Sequence, residues 1–405
     1  MDIANMNTRL GDRHVIVGAG EAGTRAALAL RDAGAQRVTL IGAEACLPYE
    51  RPPLSKPEGN EITVRAITTD FAGIDTQFGR WVSFVDRSVR QLQFSDGEHL
   101  SYDWLLLATG ARARPLPRAE NTRVLTLRTC DDAAAIYAEA RAGRCCVIIG
   151  AGLIGLELAA VMRGRGMLVT VLEAGARAMS RVLPQDLSDE IVARHRLEGV
   201  RIVFGANIVA TTAQAVVLDD GEEVVADLIV AAIGAVPNSS LAEDIGLTCG
   251  NGIHVDDKLQ TSDPRIFSAG DCAAVEHPLL GRIRFESWRS ACDQGVAAAD
   301  AMLGNQVKFA TYPWFWSDQY DLGIQMVGLH DPSRQTIRRQ LQGDGWIFFE
   351  IDPDGVLCAA SGVARGHGVA KDIRLSELLI ERRVAPSREA LADPSVNLKS
   401  LLPRS

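Results

Sequence analysis

The chain carries one glycine turn twice. Residues 14–23 read His-Val-Ile-Val-Gly-Ala-Gly-Glu-Ala-Gly, and residues 146–155 read Cys-Val-Ile-Ile-Gly-Ala-Gly-Leu-Ile-Gly. In both copies a short β-branched run feeds G-x-G-x-x-G. An Ala/Leu-rich helical pattern follows, Ala26 to Asp32 and Leu156 to Arg163, and a second apolar strand returns, Val38 to Ile41 and Val169 to Leu172. One such turn signals little beyond a tight bend. Two, each set in strand–turn–helix–strand order, mark a dinucleotide-binding unit built twice. The echo continues downstream. Leu92 to Gly110 reads as two strands about a Ser95-Asp96-Gly97 turn, then Asp103-Trp-Leu-Leu-Leu-Ala-Thr-Gly110. Val216 to Gly234 repeats it with an Asp220-Gly221 turn and Asp227-Leu-Ile-Val-Ala-Ala-Ile-Gly234. Asp-Gly between apolar runs is a hairpin signal, so each α/β domain carries a hairpin insert.

The turn chemistry names candidate binding residues. The first glycine of each copy makes the bend, the second admits a pyrophosphate to the backbone, and the third lets helix and strand pack closely. Phosphates then meet free amides at a helix N-terminus. The candidates are Gly18, Gly20, Ala22 and Gly23 in the first copy, and Gly150, Gly152, Leu153, Ile154 and Gly155 in the second. An acidic residue after the second strand suits a ribose hydroxyl: Glu44 in the first copy and Glu173 in the second. A carboxylate there repels a 2′-phosphate, so Glu173 points to NAD(H), although Arg177 and Arg181 lie just beyond it.

Bulk properties narrow the class. The chain has 405 residues, 47% hydrophobic and 23% charged, with a net charge of −9, which argues against a nucleic-acid binder. Met1 to Arg13 is mixed and polar without an apolar core, so no signal peptide is expected. The longest apolar run, Leu228 to Val236, falls far short of the ~20 residues a membrane helix needs. A cytoplasmic protein without membrane attachment is expected. Its eight cysteines are scattered, with no C-x-x-C and no zinc spacing, so neither disulfides nor a metal is expected.

Several longer blocks carry a family resemblance. They are Leu47-Pro-Tyr-Glu-Arg-Pro-Pro-Leu-Ser-Lys56, Leu106-Leu-Ala-Thr-Gly110, Leu127-Arg-Thr129, Gly152-Leu-Ile-Gly-Leu-Glu157, Ser268-Ala-Gly-Asp271, Glu286-Ser-Trp288 and Trp314-Phe-Trp-Ser-Asp-Gln319. Over nearly its whole length the chain resembles the ferredoxin reductases of bacterial oxygenase systems, which serve Rieske-type aromatic dioxygenases and some cytochromes P450. Thr261 to Asp271 resembles the second FAD signature of two-dinucleotide flavoproteins, which implies that flavin sits on the first unit. The implied fold class is α/β: two Rossmann-like dinucleotide-binding domains, for FAD and NAD, plus a small C-terminal α+β domain. The expected division is 1–113 and 240–311 for FAD, 114–239 for NAD and 312–405 for the C-terminal domain.

The resemblance implies flavin contacts from Lys56, Val82, Arg128, Asp271 and Trp288. It implies nicotinamide-side contacts from Glu157, Glu173 and Arg181, and an aromatic cover from Trp316. The matched blocks and their echo add Arg51, Ala108, Thr109, Gly110, Ile233, Gly234, Gly270, Glu286 and Ser287 as cofactor-binding candidates. Many members have an acidic residue where this chain has Ala43, and Glu44, one place on, is the candidate for that role here. Lys56 is read as a cation near the flavin, paired with Glu157; with Trp316 these form the catalytic set. FAD and NADH are then the cofactors, with a [2Fe–2S] ferredoxin of Rieske or plant/adrenodoxin type as partner to a monomer or weak dimer. Ferredoxin docking needs a local basic surface, and Arg334, Arg338, Arg339, Lys371, Arg374, Arg382 and Arg383 offer one, with Arg51 as the fallback. Two other readings stay open. One is a thiol-based NAD(P)H disulfide reductase or peroxidase using Cys46; the other is a non-enzymatic redox-sensing flavoprotein.

Overall fold

Val15, Ile16 and Val17 are β-branched or fully apolar and buried on both faces, as a central parallel strand requires. In the computed structural model, which describes residues 9–403 except 58, 60, 61, 63, 118–122 and 342, the chain divides into two compact units. The first eight residues of the polar N-terminal stretch lie outside the described residues. One unit comprises Met1–Arg51, Val64–Arg112 and Ala235–Thr311; the other comprises Pro52–Thr63, Ala113–Gly234 and Tyr312–Ser405.

In the first unit five parallel strands lie in the order Ile266–Ser268, Trp104–Leu107, Arg13–Val17, Arg37–Gly42, Ile74–Phe78. Alternation along the central strand sends Ile16 into one apolar cluster and Val15 and Val17 into another. Helix Glu21–Asp32 covers the first face with Ala22, Ala26, Ala27 and Leu30, side chains small enough for helix Trp288–Met302 to pack closely on it. The antiparallel ribbon Val82–Asp86, Gln91–Phe94, His99–Ser101 covers the second face with Val82, Val85, Leu92 and Phe94.

The second unit repeats this plan. Its parallel strands run Arg201–Phe204, Leu168–Glu173, Cys145–Ile149, Leu228–Ala231, Val124–Thr126, with the ribbon Ile208–Thr211, Ala215–Leu218, Glu223–Val225 as its insert. Both glycine helices start earlier than periodicity suggests, at Glu21 and Leu153, because the last residues of each glycine motif already form the first helical turn. The same unit contains an antiparallel sheet in the order Trp314–Gln319, Leu322–Gly328, Leu357–Arg365, Trp346–Ile351, Gln335–Gln340, packed by helix Ala370–Glu381. Doubled α/β halves plus a small α+β sheet are the expected fold class. No helix among the described residues is long and apolar enough to cross a membrane.

One expectation fails here. Arg338 and Arg339 are adjacent on a strand, so they point to opposite faces. Arg338 stacks on Trp346, 3.5 Å from its ring centroid, and pairs with Glu190 at 3.1 Å. Arg339 is buried and donates to the Val396 carbonyl, which removes it from any docking surface.

The glycine turns explain how helix and strand meet. Gly18 and Gly150 hold φ of +112° and +105°, where a side chain is strained. A Cβ on Gly155 would land on the Gly150 carbonyl oxygen, while one on Gly152 would meet nothing within 4 Å. Gly155→Ala should therefore lower Tm by roughly 5 °C through overpacking, despite Ala being the better helix former. Gly152→Ala should leave Tm within about 1 °C and weaken dinucleotide binding at least tenfold, because the methyl fills the space a pyrophosphate needs. Scanning calorimetry with NAD+ titration checks both; equal Tm losses would refute the packing account.

Candidate functional site

Each glycine turn opens a helix whose N-cap, Gly20 or Gly152, supplies no side-chain cap, so first-turn amides face outward. The second glycine of each turn borders open space. Uncapped amides beside open space that a side chain would intrude on are what a pyrophosphate requires, so both turns fit a dinucleotide.

In the first unit the neighbouring strand end meets the turn: the Ala108 amide donates to Val17 at 2.8 Å, and a Cβ on Gly18 would strike the Ala108 carbonyl. Thr109 is held by its hydroxyl on Asn238 at 2.6 Å, and Gly110 accepts from the Asn238 amide at 2.9 Å. Gly270, at φ +83°, lies against Ala22, which places Asp271 at the same end of the glycine helix. Arg284 links Asp271 to Glu286, donating to the Asp271 carbonyl at 3.1 Å and to the Glu286 carboxylate at 2.5 Å. Ser287 caps helix Trp288–Met302 by accepting from Ser290, which sets Trp288 in its first turn. Val82 is different: its side chain belongs to the core beneath the ribbon.

Glu44 takes an arrangement that spacing did not foresee. It accepts from Tyr49 at 2.6 Å and from Arg51 at 2.9 Å. Burial alone would lower the Arg51 guanidinium, but Tyr49, Glu44 and Asp271 outweigh it and hold it above its ordinary value. Glu44 therefore anchors a permanent cation at this end of the first sheet.

In the second unit Gly150 abuts the Ala232 carbonyl and the Ile233 side chain, and the Arg181 guanidinium comes near Gly234. Glu173 curls over the turn: one oxygen accepts from Ala151 and the other from Gly175, both at 2.7 Å. A carboxylate offers about four acceptor positions, so two bonds leave it able to accept from a ribose diol. Arg177 is committed elsewhere, donating to the carbonyls of Leu183 and Ser180 at 2.9 and 3.0 Å. Arg128 precedes helix Cys130–Glu139, its amide donating to Asp132.

The same unit holds Lys56 and Glu157 together. Residues Pro52–Ser55 form a short 3₁₀ turn pinned by Tyr137, whose hydroxyl donates to the Leu54 carbonyl at 2.7 Å. Lys56 then reaches Glu157 at 3.1 Å and Asp318 at 3.9 Å, and lies 5.1 Å from the Trp316 ring centroid. Glu157 is 5% exposed, and hydroxyls of Ser55 and Ser317 also donate to it, the latter at 2.6 Å. Trp316 stacks on Trp314 with centroids 5.5 Å apart. The three predicted catalytic residues thus meet. Ser55 and Ser317 were missed as individuals; their only signal was membership of the Arg-Pro-Pro-Leu-Ser-Lys and Trp-Phe-Trp-Ser-Asp-Gln blocks.

Known proteins share this layout. Residues 12–295 match the family described as pyridine nucleotide-disulphide oxidoreductase, and residues 314–402 match the one described as reductase C-terminal. The ferredoxin–NAD+ reductase component of the anthranilate 1,2-dioxygenase system of Burkholderia cepacia is 38% identical over 96% of this chain and 99% of that protein. Putidaredoxin reductase of Pseudomonas putida is 37% identical over 96% and 97%. The structure of a covalent putidaredoxin reductase–putidaredoxin complex superposes with a TM-score of 0.90 at 34% identity, over 96% of this chain and 98% of that one.

Breaking the buried pair has a defined cost. Lys56→Met leaves a buried carboxylate without its cation and should lower unfolding free energy by about 2–4 kcal/mol in urea titrations. Adding Glu157→Leu should recover most of that loss, since two apolar groups replace both charges. A double variant no more stable than Lys56→Met would contradict the pairing.

Proposed function

This chain belongs to the pyridine nucleotide-disulphide oxidoreductase family as an FAD- and NADH-dependent ferredoxin reductase, and we propose that it feeds an oxygenase of aromatic compounds or a cytochrome P450. The carrier between them is a [2Fe–2S] ferredoxin, and the setting is cytoplasmic. The observation that carries this reading is the buried Lys56–Glu157 pair beside Trp316, which places a fixed cation in the unit of the second glycine turn.

Bound flavin supplies the ability to take two electrons as a hydride and release them singly. The first glycine turn with Arg51, Asp271 and Trp288 would hold it. The second turn would hold NADH, with Glu173 on the ribose diol and Arg181 near Gly234. Glu157 keeps Lys56 oriented, and the Lys56 charge favours negative charge developing on its bound neighbour. Trp316 would cover that side. The relatives favour this reading over a thiol enzyme built on Cys46 or a non-enzymatic sensor.

Docking calls for cations on an acidic protein. Lys371, Arg374 and Arg382 fall on one stripe of helix Ala370–Glu381 and its C-cap, since three and eleven residues are close to whole numbers of turns. All three are exposed, although Arg374 is paired with Glu377.

Two outcomes follow. Glu173→Ala should narrow the NADH/NADPH ratio in kcat/KM at least tenfold, about 1.4 kcal/mol; a wild-type preference for NADPH overturns the ribose assignment. Ferredoxin reduction should fall steeply with salt, since screening shortens to ~8 Å at physiological ionic strength, while NADH–ferricyanide turnover changes little. Lys371→Glu with Arg382→Glu should raise the apparent KM for ferredoxin and spare ferricyanide turnover, because steering acts on association. A salt-independent ferredoxin rate would remove this helix from the interface.

A further inference from the structure

We propose that Ser317, Gln319 and His195 form a positioning tether that fixes the Glu157 carboxylate, and through it the Lys56 cation, for hydride transfer. The proposal rests on the reading of Lys56 and Glu157 given above.

The tether is a continuous line of buried hydrogen bonds. Ser317 donates to Glu157 at 2.6 Å, and Gln319 donates through Nε2 to Ser317 at 3.1 Å. The Gln319 carbonyl oxygen lies 2.8 Å from His195 Nε2, so that nitrogen carries the proton. The tautomer leaves Nδ1 to accept from the Tyr320 hydroxyl at 3.3 Å. Ser317, Gln319 and His195 are all 1% exposed or less. Burial lowers the His195 imidazole below its ordinary range, which keeps the neutral form that this pattern needs.

Every hydrogen in the line points toward Glu157. An amide in the middle does not shuttle protons, so the line transmits orientation and not a proton. Strand pleating accounts for its reach: Ser317 and Gln319, two apart, share a face of strand Trp314–Gln319. Tyr320 follows directly and sits at φ +57°, a conformation uncommon for a bulky side chain. It is held there by its bond to His195, by an edge contact with that ring at 5.0 Å, and by the Arg194 guanidinium 5.1 Å from its own ring centroid. The far end of the line is thereby anchored on helix Gln185–Leu197, so Ser317 holds one oxygen of the Glu157 carboxylate while Ser55 holds the other.

The experiment uses full-length holoenzyme with Ser317→Ala, Gln319→Leu and the isosteric Gln319→Glu, which cannot donate to Ser317. Ser317→Thr serves as rescue and Lys56→Met as control. In anaerobic stopped-flow the limiting rate of flavin reduction by NADH should fall about fivefold in the first three. The Kd for NAD+ should move less than about twofold, and Ser317→Thr should recover most of the rate. A readout independent of turnover is the coupling between Lys56→Met and Glu157→Gln in urea unfolding, which should drop by at least half when Gln319→Leu is present. If Lys56→Met slows reduction while the tether variants keep the wild-type rate and full coupling, the tether is refuted and the Lys56 reading stands. If Lys56→Met reduces flavin normally, the Lys56 reading fails, and unchanged coupling would refute the tether as well.

Discussion

Two helices rest directly on peptide carbonyls, and the rest of the molecule is arranged around that contact. Gly23 and Gly155 each sit where any side chain would collide with the oxygen of the turn's first glycine. The contact sets the distance between helix and strand, and so the direction in which the uncapped amides point. It also aligns the neighbouring strand ends, so that Thr109 and Gly110 in one unit and Ile233 and Gly234 in the other reach the same level as their turns. Close packing of this kind leaves no slack: the helix start, the strand end and the phosphate space are one construction made twice.

That construction was legible in the sequence because its determinants are local. Glycine spacing, β-branched runs and an Asp-Gly hairpin each act within about ten residues, so a linear reading finds them. The Lys56–Glu157 pair was legible only through resemblance, since its members lie 101 residues apart. Ser55 and Ser317 were visible as letters in a block but not as donors to a shared carboxylate. His195 had no signal at all: a lone histidine in an amphipathic helix says nothing about the glutamine 124 positions away. Arg339 was misread because a run of arginines looks like a surface, whereas the pleat turns alternate residues inward. Glu44 was singled out by its position after the second strand, but its partners Tyr49 and Arg51 come from a loop whose path no periodicity describes.

The two charge centres follow different logic. The Glu44–Arg51 pair is partly exposed, so solvent moderates it and its value lies in geometry more than in stability. In the Lys56–Glu157 pair the carboxylate is withdrawn from water, where losing its partner is costly and every remaining lone pair must be satisfied. The two serine hydroxyls answer that demand on the Glu157 carboxylate.

The partners of Glu157 also reach it at very different times during synthesis. Ser55 and Lys56 precede it in the chain, but Ser317 lies 160 residues later. At ribosomal rates of roughly 5–20 residues per second, the nascent carboxylate waits about ten to thirty seconds for its last donor. Until then its helix carries a charge that is only partly paired and has reason to stay hydrated. Closure around this carboxylate is therefore tied to the arrival of strand Trp314–Gln319, and a chain that stops short of it keeps Glu157 without its Ser317 donor.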